Sequence, residues 1–149
     1  MTKNIVNNRI SARYALKKIF IKNLVNKYLN FNFIELNEKT LASLGWKFGG
    51  FYDLNTARGY CNQKEKTIEI GYTTLTDQSI DSKQFITIVL HEISHAIEIA
   101  KYGNTKDHNN RYKKVCYSIG KQTGVSGYMI YTETASATDY FNKNRGIFY

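Results

Sequence analysis

Residues 82 to 102, SKQFITIVLHEISHAIEIAKY, restrict this chain more than any other stretch. Asp81 followed by Gln84 has the form of a capping box and Gly103 is a stop, so the spacing predicts one helix of about five or six turns. Phe85, Ile86, Val89, Leu90, Ile93, Ala96, Ile97 and Ala100 cover most of its circumference, and a helix apolar nearly all round has to be buried. The remaining arc, at about 100° per residue, gathers Thr87, His91, Glu92, Ser94, His95 and Glu98, interrupted only by Ile88 and Ile99. A polar stripe inside a core must meet partners that satisfy it, because unpaired buried polar groups are costly. A bound cation would do so.

The spacing within the stripe favours that cation. Residues four apart lie one above the other, so His91 and His95 can aim two imidazole nitrogens at one ion about 2 Å from each. Glu92 projects beside them, within reach of a water but not itself a ligand. This is the H-E-x-x-H arrangement, in which the ion acidifies a water and the carboxylate takes its proton. The chain holds 3 histidines, and the last, His108, follows the helix stop. Asp107 can cap a further helix, HNNRYKKVCYSIGKQ, with His108 in its first turn and Tyr112, Val115 or Cys116, and Ile119 toward the core. Three neutral imidazoles and an open position suit catalytic zinc. Two rivals for the third position stay open. Glu98 lies about 10 Å along the axis from His91, a poor geometry for sharing one ion, and reads as a partner of a ligand or a solvent-facing acid. Glu133 is a distant glutamate of the kind some zinc peptidases use.

Elsewhere the patterns are shorter. With 149 residues and 42% hydrophobic content, one domain over 1–149 is expected, with a basic N-terminal helix over 1–30. Leu16, Phe20, Leu24 and Tyr28 step by four and form its inner stripe. Lys3, Arg9, Arg13, Lys17, Lys18, Lys22 and Lys27 all precede the first acid, Glu35, within a chain of formal net charge +9. Such a segment either neutralises nucleic-acid phosphates or is a solvated lysine-rich face. Asn37 to Leu44 could form a short helix ending at Gly45. WKFGGFYD (46–53), ARGYCN (57–62) and KTIEIGY (66–72) read as three strands of an antiparallel meander, with Gly49, Gly50 and Gly59 marking a bulge or bend. Tyr128 to Tyr131 would add a strand and the tail a final short helix. Cys61 and Cys116 form no pair at metal-ligand spacing and read as reduced, buried thiols. MTKNIVNNRI has no apolar leader core and no run reaches the about eighteen apolar residues of a membrane span, so a cytoplasmic protein (host cytoplasm if viral), not secreted and with no membrane contact, is expected.

The ordered set WKF at 46–48, GYC at 59–61, KTIEIG at 66–71, HEISHA at 91–96 and HNNRYKKVCYSIG at 108–120 resembles the SprT-like metallopeptidase domain, whose members include bacterial, phage and eukaryotic (Spartan) proteins. The resemblance covers 46–120, half the chain. It implies Zn2+ held by His91, His95 and His108, Glu92 as general base, Tyr112 as a packing residue, and a minimal zincin-like α+β fold with a small sheet beside the metal helix. Two departures stand out. Asn109 follows the third histidine where the family usually has glycine, and residues 121–149 carry no cysteine cluster of the kind that forms an appended zinc ribbon. The expectation is a zinc metallopeptidase acting on a protein or peptide, with DNA-associated proteins as one target class. The alternatives are a nucleic-acid-binding or structural protein with zinc as a staple, and a metal-dependent hydrolase of another bond.

Overall fold

The computed structural model describes residues 14–133. Lys3, Arg9, Arg13 and the tail beyond Glu133, with its expected final helix, lie outside the described residues. Among these residues the chain forms five helices, α1 (Ala15–Leu29), α2 (Tyr72–Thr76), α3 (Ser82–Tyr102), α4 (Asn110–Thr123) and α5 (Gly127–Thr132), and three strands, β1 (Lys47–Tyr52), β2 (Gly59–Asn62) and β3 (Thr67–Gly71). No described helix is long and apolar enough to cross a membrane.

The long central helix follows its end signals. The Asp81 side chain accepts from the Gln84 backbone N–H at 3.0 Å, the Gln84 side chain accepts from the Asp81 N–H at 2.9 Å, and Gly103 closes the helix at φ 85°. These bonds satisfy N–H groups that a helix start leaves without partners. Leu90, Ile93, Ala96 and Ile97 are fully buried, and each Leu or Ile so removed from water stabilises the fold by about 1.5–3 kcal/mol. α1 packs on α3 and β1, α4 and α5 on the other flank of α3, and β2 against its polar side.

The sheet is mixed, not an antiparallel meander. Its order is β1-β3-β2, with β1 parallel to β3 and β2 antiparallel to β3. The tight connection between β2 and β3 forms the expected hairpin, but the chain leaving β1 passes β3's place and enters as the far edge strand. The register shifts between Phe48 and Gly50, which places the bulge at Gly49. A Cβ there would lie 2.8 Å from Thr67 Cβ and 2.9 Å from Glu69 Cγ, so only glycine lets the strands approach this closely.

Four further expectations are corrected. Leu16 is 84% and Phe20 42% exposed, and the inner face of α1 is instead Ile21, Leu24, Val25, Tyr28 and Leu29, at the i, i+3, i+4 spacing of a docked helix. Asn37 to Leu44 is not one helix, since Asn37 is left-handed at φ 51° and only Ala42–Leu44 makes a 3₁₀ turn, closed by Gly45 at φ 96°. Residues 128–131 belong to α5, not a strand, because the Ser126 hydroxyl caps the segment by accepting from the Met129 N–H. α4 begins after Asn109, whose side chain caps it by accepting from the Tyr112 N–H at 3.1 Å, so Asp107 is not the cap and His108 lies outside the first turn. Asparagine at the position where glycine is usual thereby has a local purpose.

Candidate metal centre

His91 and His95 point from consecutive turns of α3 toward His108, which is carried by the loop to α4. His108 Nε2 lies 3.1 Å from His91 Nε2 and 3.3 Å from His95 Nε2. Ions held tetrahedrally by nitrogen at about 2.0–2.1 Å separate their ligands by about 3.3 Å, so these spacings fit one small cation. The bonds on the opposite ring atoms agree. His91 Nδ1–H donates to the Ile130 carbonyl at 2.8 Å, since a carbonyl can only accept. Thr105 Oγ1 stands 2.7 Å from His95 Nδ1 and donates its one proton to Glu98 Oε1 at 2.6 Å, so it accepts from His95 Nδ1–H. Both rings therefore present an Nε2 lone pair to the common centre. A proton on His108 Nε2 could serve only one of its two neighbours, whereas a cation serves all three nitrogens. The three histidines could hold a metal ion.

Burial keeps the site ready to coordinate. It pushes His95 down to about 4, with the neighbouring His108 adding to the effect and Glu98 and Asp107 opposing it, so the ring is neutral at ordinary pH. His91 is buried, while His108 is 47% exposed, so the centre opens to solvent on the His108 side. His108 holds φ at 43°, a left-handed conformation that costs about 1–3 kcal/mol and that the fold restrains through the Tyr131 hydroxyl, which donates to the His108 carbonyl at 2.7 Å.

Glu92 sits against β2, with one carboxylate oxygen within 4.8 Å of a His91 ring nitrogen. Its carboxyl is buried, and burial, reinforced by the charge of Glu133, raises it well above the usual carboxylate range against a hydrogen bond from the Cys61 backbone. Gly59 makes this placement sterically possible, because a Cβ there would stand 2.9 Å from Glu92 Cγ. A groove of about 240 Å³ runs over the site, lined by Tyr60, Cys61, Glu92, His95, Thr105, Lys106 and Asp107. A larger recess of about 310 Å³ beside Tyr117 and Tyr128 has no acid or histidine in its wall.

The other sequence candidates fall as follows. Glu98 is outside the three-histidine cluster and is no solvent-facing acid: it is fully buried beneath Thr105 and Arg111. Glu133 stands close to His91 and Glu92, with one ligand atom from each within 4.8 Å of the others, and so remains beside the centre. Lys17 donates to the Leu75 carbonyl at 2.9 Å and Lys18 lies over the Phe51 ring, while Lys22 and Lys27 are exposed. Tyr112 does more than pack. Its ring stacks on His95 at 4.0 Å and its hydroxyl donates to the His91 carbonyl at 2.7 Å. Thr105 and the Ile130 carbonyl went unrecognised in the sequence, because neither a lone threonine nor a backbone acceptor carries a spacing signal.

The chain is thus an α+β protein in which an H-E-x-x-H helix and the loop after it gather three imidazoles that could hold a metal ion beside a buried carboxylate. More narrowly, the chain belongs to the SprT-like family, whose model matches residues 21–134. The match extends beyond the 46–120 stretch to take in most of α1 and all of α5. No curated protein and no solved structure matches the chain.

Proposed function

We propose that this protein is a zinc-dependent peptidase of zincin-like build, with His91, His95 and His108 as ligands and Glu92 as general base. The observation that carries the reading is the convergence of three Nε2 atoms with the buried Glu92 carboxylate beside them. Zinc, when bound, supplies Lewis acidity that acidifies water and polarises a carbonyl. Glu92 takes the proton of the attacking water and delivers it to the leaving amine as the C–N bond breaks. Its raised affinity for a proton suits both halves of that transfer, since the same carboxyl must accept and release. The groove over Cys61 and His95 receives the peptide.

Proteins bound to nucleic acid are the proposed target class, supported by the net charge of +9 and by the exposed Lys22 and Lys27. Lys3, Arg9 and Arg13 would extend the same basic segment. Glu133 favours one rival, a closed structural site in which it supplies a fourth ligand and no substrate enters. Zinc content and hydrolysis of casein and of a DNA-bound protein, measured with and without DNA and chelator, test the proposal. Glu92→Gln should keep zinc and lose hydrolysis by about 10²–10⁴-fold, and His108→Ala should lose the metal. A zinc-loaded parent that cleaves neither substrate, or a Glu92→Gln protein of full activity, would overturn it.

A further inference from the structure

The buried polar stripe of α3 continues one turn past His95 to Glu98. Its Oε1 accepts from the Thr105 hydroxyl at 2.6 Å and from the Lys106 backbone N–H at 3.0 Å, and its Oε2 accepts from Arg111 Nε at 2.8 Å. Arg111 Nη2 donates in turn to the Asn104 carbonyl at 3.0 Å and to the Asn104 side-chain oxygen at 2.5 Å. One carboxylate thus ties the last turns of α3, the loop after Gly103 and the first turn of α4. That loop carries His108. It also carries Thr105, which receives the Nδ1–H of His95.

The direction of this chain of bonds is forced. Burial alone would raise the Glu98 carboxyl, but the bonds from Thr105, Arg111 and Lys106 and the Arg111 charge outweigh it, and the group stays ionised. An ionised carboxylate cannot donate, so protons run from His95 to Thr105 and from Thr105 to Glu98. We propose that Glu98, acting through Thr105, is the positioning residue that sets the metal affinity of the centre. The charge-assisted bond to Glu98 polarises the threonine hydroxyl, which becomes a stronger acceptor for His95 Nδ1–H. The imidazole is locked with Nε2 facing the other two nitrogens. The remaining bonds to Lys106 and Arg111 hold the loop that presents His108 in its left-handed conformation. The inference rests on the reading that the three histidines hold zinc, but not on whether the protein cleaves peptides.

The test uses the whole chain and zinc as the probe, with affinity read by competition against a chromophoric chelator and site geometry by the visible spectrum of the cobalt form. Thr105→Val keeps the side-chain shape and the other Glu98 bonds while removing the acceptor, and should weaken zinc binding about 10–100-fold with an altered cobalt spectrum. Thr105→Ser should restore both, and Glu98→Gln should weaken binding at least as much as Thr105→Val. Thr105→Val binding zinc as tightly as the parent overturns the inference while leaving the metal site intact. Equal losses for Thr105→Val and Thr105→Ser also overturn it, because packing would then be the cause. A parent that binds no zinc overturns the inference together with the proposed function.

Discussion

Gly59→Ala would separate metal binding from catalysis. The added Cβ would lie 2.9 Å from Glu92 Cγ, 3.1 Å from Oε2 and 3.3 Å from Cδ. Carbon atoms in contact sit about 3.5–4.0 Å apart, so one side must retreat by roughly 0.6–1 Å. The strand is the less free of the two, since Gly59 pairs with Ile70 in the ladder to β3, so the carboxylate moves. Overpacking of this size costs about 1–3 kcal/mol, and each kcal/mol lowers Tm by about 2–4 °C in a chain of this length. A reacting group misplaced by about 1 Å costs about 10²-fold in rate. The three imidazoles are untouched. Zinc stoichiometry, thermal melting and kcat on casein, measured on one preparation, should show full metal, a modest Tm loss and a kcat about 10²-fold lower. An unchanged kcat would refute the steric argument. Loss of zinc along with rate would show instead that β2 braces the ligands.

Two further predictions concern the frame around the site. Gly71→Ala should destabilise the fold by about 3 kcal/mol or more in urea unfolding, because its Cβ would overlap the Ala57 carbonyl oxygen while the Gly71 N–H donates to the Arg58 carbonyl at 2.8 Å; a parent-like midpoint would count against it. Of the two thiols expected to be buried only Cys116 is fully so, while Cys61 is half-buried at the groove. Burial pushes Cys116 up to about 12, against weaker opposition from its bonds with Tyr112 and Ser94, and burial with the Glu92 and Glu69 charges raises Cys61 as well. A raised thiol stays neutral in the folded state, so this contribution to stability is fully present below the unfolded value of about 8.5 and is lost as pH climbs toward the folded value. Iodoacetamide at pH 8 should therefore modify neither cysteine in the native protein and both in urea, and rapid native labelling would contradict the assignment.

The metal helix was legible because its determinants are local. Asp81, Gln84 and Gly103 mark its ends and the four-residue step aligns two histidines, none of which depends on distant contacts. Strand pairing was not legible. The β-forming residues of TIEIG say nothing about the neighbouring strand, and β1, which packs on α1, joins β3 in parallel with all of β2 between them in the chain. The α1 stripe was half legible: Leu24 and Tyr28 are buried as expected, but a step of four drifts around a helix, and the true face combines steps of three and four from Ile21. Glu98 was half legible too: of its two readings, partner of a ligand and solvent-facing acid, the structure supports the first. A glutamate is rarely buried, and its place beneath the loop follows only once Thr105 and Arg111, beyond the helix stop, fold back over it.

All three histidines, with Thr105, Arg111, Tyr112 and Ile130, occupy a contiguous span from 91 to 130, whereas the carboxylate of Glu92 faces a wall built from the earlier strand β2. On the proposed reading, the ligands and the base share one stretch of polypeptide, and only the wall that seats the base comes from elsewhere. On that reading, fraying of the edge strand would stop hydrolysis while leaving a bound ion in place, and amide exchange at Tyr60 and Cys61 faster than along α3 would be its signature.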